Sequence, residues 1–95
     1  MNIDVIRKKR EDILRLSAAR GAYDVRIFGS TVQGGDRPDS DVDFLVELRA
    51  GRSLLDLSGL RQDLIRLLDV DVDVVTPKAL HWYIRERVLK EAVPL

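Results

Sequence analysis

The stretch Ile27-Phe28-Gly29-Ser30, running on to Asp41-Val42-Asp43-Phe44-Leu45-Val46, decides how the chain is organised. It begins as a hydrophobic strand, Val25 to Phe28, and breaks at Gly29-Ser30. A turn-rich segment, Gly34-Gly35-Asp36-Arg37-Pro38-Asp39-Ser40, leads into a second strand, Asp41 to Leu48. Residues two apart in a strand share a face, so Asp41 and Asp43 sit side by side with Cα atoms about 6–7 Å apart. Val42, Phe44, Val46 and Leu48 point the other way, toward a core. Two carboxylates that close repel, and a divalent cation removes the conflict. Hard oxygen ligands at this spacing suit Mg²⁺, which completes its shell with water and substrate phosphates. Gly29 lets backbone approach a ligand. A helix starting near Ser30 would turn its free N–H groups and the hydroxyl toward an anion. A phosphate cradle beside a metal-binding carboxylate pair is a constellation for phosphoryl or nucleotidyl transfer.

Composition sets the frame for that site. A length of 95 residues predicts one domain, spanning 1–95, with a core of modest size. A hydrophobic share of 45% with 34% charged residues reads as soluble and globular. Sixteen basic residues balance sixteen acidic ones, so no bulk positive field draws the chain to nucleic acid or to a membrane surface. Nucleic acid is therefore not expected as a direct ligand. The lack of cysteine excludes disulfides and thiolate metal sites and fits the cytoplasm. The start, Met1-Asn2-Ile3-Asp4, lacks the apolar run of a signal peptide, and no stretch approaches the ~18 apolar residues of a membrane span.

Around the central stretch, the pattern predicts a helix from an Asn2 cap to about Ala19, closed by Gly21. Ile6, Arg10, Ile13, Leu14 and Ser17 follow helical spacing, and the basic residues nearby read as a solvated face. Asp24 to Phe28 is the first strand, and Gly29 to about Gln33 the first turn of a short helix. Arg49-Ala50-Gly51-Arg52 is a turn. Ser53 caps a long helix ending near Leu68, with Leu54, Leu57, Leu60, Leu64, Leu67 and Leu68 as its apolar stripe. Gly59 is expected to pack closely against the sheet. Asp69 to Val75 is the third strand, with Val70, Val72 and Val74 on one face and Asp69, Asp71, Asp73 and Val75 on the other. Three aspartates on one strand face run against β propensity. They are either a solvated edge or a continuation of the acidic face of the second strand. Thr76-Pro77 opens the last helix as cap and first helical residue, with Leu80, Ile84 and Val88 on its buried face. His81 reads as a surface residue; Trp82 and Tyr83 read either as partly buried packing or, with Leu95, as an exposed apolar surface that a partner covers.

The order Gly29-Ser30-x-x-x-Gly34, then Ser40-Asp41-x-Asp43 opening a hydrophobic strand, resembles the DNA-polymerase-β-like nucleotidyltransferase superfamily. The short length points to its minimal branch, the MNT domains. Either half of the motif alone is a weak signal; in order between two strands they are much stronger. The resemblance implies that Gly29 and Ser30 contact nucleotide phosphates and that Asp41 and Asp43 hold metals, two Mg²⁺ ions being expected. It implies a third aspartate on a later strand, and selects Asp73 in Val72-Asp73-Val74-Val75, with Asp71 the competitor by register. It departs at Gln33, where many members carry arginine; Arg37 is a candidate substitute.

What the resemblance implies for the fold is α/β (α+β) in class, a small mixed sheet with helices on one face and the site on the other. Simple α–β alternation alone would have suggested a parallel doubly wound sheet. For function it implies a nucleotidyltransferase using ATP, with AMP passed to a hydroxyl, a tyrosine for example, of a partner HEPN-domain ribonuclease toxin. The chain would then be that toxin's antitoxin. Two other classes stand beside this: a non-catalytic module that neutralises a toxin by covering it, and a transferase that adds nucleotides to RNA.

Overall fold

The computed structural model describes residues 1–32 and 42–95. The expected loop 34–40, Gln33, Arg37 and Asp41 lie outside the described residues.

The N-terminal segment is two helices, not one: α1, Ile3–Lys8, and α2, Arg10–Ala19. Asn2 caps as expected, its Oδ1 accepting the Val5 N–H at 3.0 Å. The chain leaves helical geometry at Lys9 (φ −103°, ψ 17°), whose N–H donates to Ile6 in a tightened turn. No glycine or proline marks this break. The Lys9 side chain explains its place, with Nζ donating to the Leu67 carbonyl at 3.0 Å across the molecule.

Strand β1, Ala22–Phe28, begins two residues earlier than the sequence suggests. Asp24 has φ +51°, and the pairing register slips between Tyr23 and Arg26. Aspartate is among the few residues that tolerate this left-handed region, so a bulge fits here without glycine. A three-residue 3₁₀ turn, Gly29–Thr31, follows.

Strand β2, Val42–Leu48, pairs antiparallel with β1. Helix α3, Leu54–Leu68, starts on a reciprocal cap. Ser53 Oγ accepts from Leu55, and Asp56 Oδ2 accepts the Ser53 N–H at 3.0 Å. The helix stops where Asp69 turns left-handed (φ +56°) and donates its N–H to Ile65. Asp69 is therefore a helix cap and not a strand residue. Strand β3 is only Val72–Val75 and runs parallel to β2.

Thr76-Pro77 opens a 3₁₀ turn, Pro77–Ala79, without a side-chain cap. Leu80 and His81 return to extended backbone, and α4 spans Trp82–Glu91. Leu80 is thus not on the last helix. Arg85 holds this corner by donating to the carbonyls of Pro77 and Leu80. A two-residue strand β4, Val93–Pro94, which the sequence reading did not foresee, pairs antiparallel with β1.

The sheet order is β3-β2-β1-β4, mixed as expected. One face carries the main core. Val25, Ile27, Val42, Phe44, Val46 and Val72 meet Ile6 of α1, Ile13 of α2, and Leu60, Leu64 and Leu68 of α3. Alternation of strand side chains places these apolar residues together and sends Asp43 to the other face. Leu45 and Val88 are buried outside that cluster. Gly59 meets the Arg20 guanidinium and not the sheet, because an added Cβ would lie 2.5 Å from it. Arg20 is held there by Asp63 at 3.0 Å. Leu54 at the start of α3 is exposed, against expectation, and Trp82 and Tyr83 at the start of α4 are exposed, which fits the surface reading of these two and not the packing reading. His81 is exposed, as expected, with its ring near both aromatics. Among the described residues no helix is long and apolar enough to cross a membrane.

Candidate active site

The first requirement of the site is a strand order that brings distant carboxylates together. Helix α3 returns the chain so that β3 lies beside β2, and Asp43 and Asp73 are direct partners in the parallel pairing. Adjacent strands lie about 4.8 Å apart, and partners on one rung share a face. Two carboxylates separated by thirty positions in sequence therefore stand side by side, Asp43 half-buried and Asp73 exposed. Asp71 comes just before β3. Its carbonyl accepts the Val42 N–H at 3.0 Å, and its side chain is exposed.

The third participant arrives from β1. Phe28 is the partner of Asp43 across the antiparallel ladder, so the residue after it emerges at the carboxylate. That residue is Gly29, with φ +80°. A Cβ on Gly29 would lie 2.5 Å from Asp43 Oδ2, closer than side chains pack. The bare α-carbon is thus the condition for the Asp43 carboxylate to lie where it does. Ser30 follows, exposed, inside the 3₁₀ turn that the Val32 N–H closes onto the Gly29 carbonyl at 3.1 Å.

Of the five residues expected to form the site, the structure brings four to one corner of the sheet: Gly29, Ser30, Asp43 and Asp73. Asp41 lies outside the described residues. Within those residues no cluster of three metal-binding side chains forms, so the described part of the donor set is the Asp43–Asp73 pair. Two carboxylates on one rung, with a glycine surface against one of them, fit a hard divalent cation that keeps most of its shell for water and phosphate.

Three neighbouring features escaped the sequence reading. Arg26 shares the face of Asp43, two residues back from Phe28, and its guanidinium lies 3.4 Å from Asp24 and 3.9 Å from Glu47. The signal was an arginine set into the apolar run Val25, Ile27 and Phe28. Thr31 is buried, and among the described residues its hydroxyl finds no hydrogen-bond partner. Nothing in the sequence marks that. Arg61, on the helix read as packing alone, donates Nε to the Val72 carbonyl at 2.7 Å.

Comparison with known proteins bears on the fold and the family. Residues 6–95 match the family described as a nucleotidyltransferase domain. The chain is 39% identical to a candidate protein adenylyltransferase of Methanocaldococcus jannaschii, over 98% of this chain and 97% of that one. It is 40% identical to the protein adenylyltransferase MntA of Thermococcus cleftensis, over 77% of this chain and 74% of the relative. A solved structure of a candidate minimal nucleotidyltransferase is 46% identical and superimposes with a TM-score of 0.88, covering 100% of this chain and 97% of that one. A chain of a mutant MntA toxin–antitoxin complex, 25% identical, superimposes with a TM-score of 0.74 over 90% of this chain and 70% of its own. With a family match over nearly the whole sequence and a relative similar from end to end, the chain belongs to the nucleotidyltransferase domain family.

Proposed function

We propose that this chain is a metal-dependent protein adenylyltransferase that moves AMP from ATP to a hydroxyl of a partner HEPN-type toxin and so acts as its antitoxin. The observation that carries the reading is the Asp43–Asp73 rung with Gly29 pressed against Asp43. Two relatives described as protein adenylyltransferases, and a toxin–antitoxin complex with the same fold, support the choice of acceptor and partner. Residues 1–95 would work as one minimal domain, in the cytoplasm, where a chain without cysteine needs no oxidising compartment.

Asp41, Asp43 and Asp73 would hold Mg²⁺, which when bound supplies positive charge to the triphosphate. Gly29 and Ser30 hold the outer phosphates, the glycine by offering bare backbone and the serine by donating its hydroxyl. Asp73, the exposed member of the pair, faces the acceptor and takes the proton of its hydroxyl. The acceptor oxygen bonds to the α-phosphorus as the bond from that phosphorus to the bridging oxygen breaks, and pyrophosphate leaves.

The test is transfer of label from α-labelled ATP, with Mg²⁺, into the protein that co-purifies with this chain. Wild type should label the partner. Asp73→Asn should lower kcat far more than it raises KM, because its contribution appears in the transition state. Asp43→Asn should damage both, and Asp71→Asn should leave both near wild type. Label in RNA instead of protein, or a dead Asp71→Asn with an active Asp73→Asn, would overturn the assignment.

A further inference from the structure

We propose that Arg61 is a positioning residue for the transfer reaction: by donating to the Val72 carbonyl it fixes the peptide that carries Asp73. This rests on the reading of Asp73 given above. Strand β3 is four residues long and lies at the edge of the sheet, with β2 on one side. The Asp71 carbonyl faces β2, where it accepts from Val42. Carbonyls alternate in direction along a strand, so the Val72 carbonyl faces outward, away from the ladder. That outward carbonyl belongs to the peptide bond joining Val72 to Asp73. An edge strand leaves such groups unpaired. Here Arg61 Nε meets it at 2.7 Å, and among the described residues no other side chain donates to β3.

The guanidinium is charged, so the bond is of the stronger kind. It holds the strand from the side that the sheet leaves open. With β2 on one side and Arg61 on the other, the peptide ahead of Asp73 is gripped across its width. Rotation of that peptide would swing the Asp73 carboxylate away from Asp43. Arg61 sits one turn before Leu64 and two turns before Leu68 on α3, both anchored in the core, so the grip is referred to the rigid part of the molecule. Its Nε reaches the Val72 carbonyl, and the proposed action is through Asp73.

The experiment compares Arg61→Met, Arg61→Gln and Arg61→Lys with wild type and Asp73→Asn, each as the full chain with its co-purified partner, in the labelled-ATP assay. Methionine keeps the stem and its packing and removes the donor. Arg61→Met and Arg61→Gln should lower kcat by about 10- to 100-fold, the scale of a small misplacement at a reacting group, with KM for ATP unchanged. Arg61→Lys, which keeps a charged donor, should recover most of the loss. Amide exchange at Val72 to Val75 should quicken in Arg61→Met and return in Arg61→Lys. A residue that only stabilised the fold would lower the melting temperature and leave kcat per folded molecule alone. If Arg61→Met does not fold, the contrast between Arg61→Gln and Arg61→Lys at equal KM carries the same decision. If Asp73→Asn is inactive while Arg61→Met and Arg61→Gln keep wild-type kcat, the positioning role is overturned and the site reading stands. If Asp73→Asn is fully active, the site reading fails and the role of Arg61 falls with it.

Discussion

Gly29 shows how much one missing atom decides. Its φ of +80° and the 2.5 Å approach that a Cβ would make to Asp43 Oδ2 are two separate reasons for glycine. We predict that Gly29→Ala loses about 1–3 kcal/mol of stability from backbone strain alone. It should also weaken Mg²⁺ binding, because the new methyl displaces the Asp43 carboxylate. Urea unfolding and metal titration by calorimetry check the two parts, and a variant with wild-type metal affinity would mean that the carboxylate does not need that surface. At this scale the sequence was informative about identity and silent about contact. Gly29-Ser30 and Asp43 stood out by type and spacing. Asp73 was separable from Asp71 only by family resemblance, because strict alternation puts both on one face. The β3 boundary at Val72 and the Asp43–Asp73 rung are facts of pairing, which a single strand's pattern does not contain. The Thr31 hydroxyl and the Arg61 bond were not legible at all, since both depend on what the fold brings near.

Among the elements, α3 was the most readable, because its start rests on local chemistry. Ser53 and Asp56 cap each other within one turn. The Ser53 N–H, with the Arg52 and Arg20 guanidinium groups, holds the Asp56 carboxyl below the ordinary value of 3.8, and the backbone hydrogen bond is the leading cause. A folded-state pKa lowered in this way contributes stability above the unfolded value, and that contribution is lost as pH falls through the folded pKa. We therefore predict that Asp56→Asn is less stable than wild type at neutral pH and that the gap closes as pH falls below about 3.8. Denaturant midpoints for both proteins from pH 7 to pH 2.5 would show this, and a gap independent of pH would exclude the carboxylate as its source. Elements fixed by distant partners were read less well. The break at Lys9 answers to Leu67, 58 positions away. The bulge at Asp24 answers to β2, and β4 exists only because β1 offers an edge. Two residues of β4 carry no period of their own. The last helix starts at Trp82 and not at Pro77, because Arg85 folds back to hold the Pro77–Leu80 corner. Cap and proline alone cannot distinguish a 3₁₀ turn from the start of an α-helix.

For the molecule as a whole, the site and the fold pull against each other. Like charges directly across a ladder destabilise a sheet by about 0.2–1 kcal/mol. We predict that Asp73→Asn, without metal, is more stable than wild type by an amount of that order, and that Mg²⁺ raises the melting temperature of wild type more than that of the variant. Thermal unfolding with and without Mg²⁺ decides this, and equal Mg²⁺ shifts for the two proteins would place the ion elsewhere. The division into two faces makes the conflict tolerable. The apolar face, with α1, α2 and α3 on it, carries the burial, and the carboxylates occupy the other. The edge position of β3 has a consequence for local stability. Asp43 sits in an inner strand paired on both sides, while Asp73 sits on a short outer one, so the two halves of the site are predicted to open at different free energies. Native-state amide exchange should show Val72 to Val75 opening at a lower free energy than Val42 to Val46; a single shared opening energy would refute this. A site built this way would be held as a hand holds a page, by a grip whose release leaves the book closed: its Asp73 half would come and go with a fluctuation of four residues, with no passage through the unfolded state.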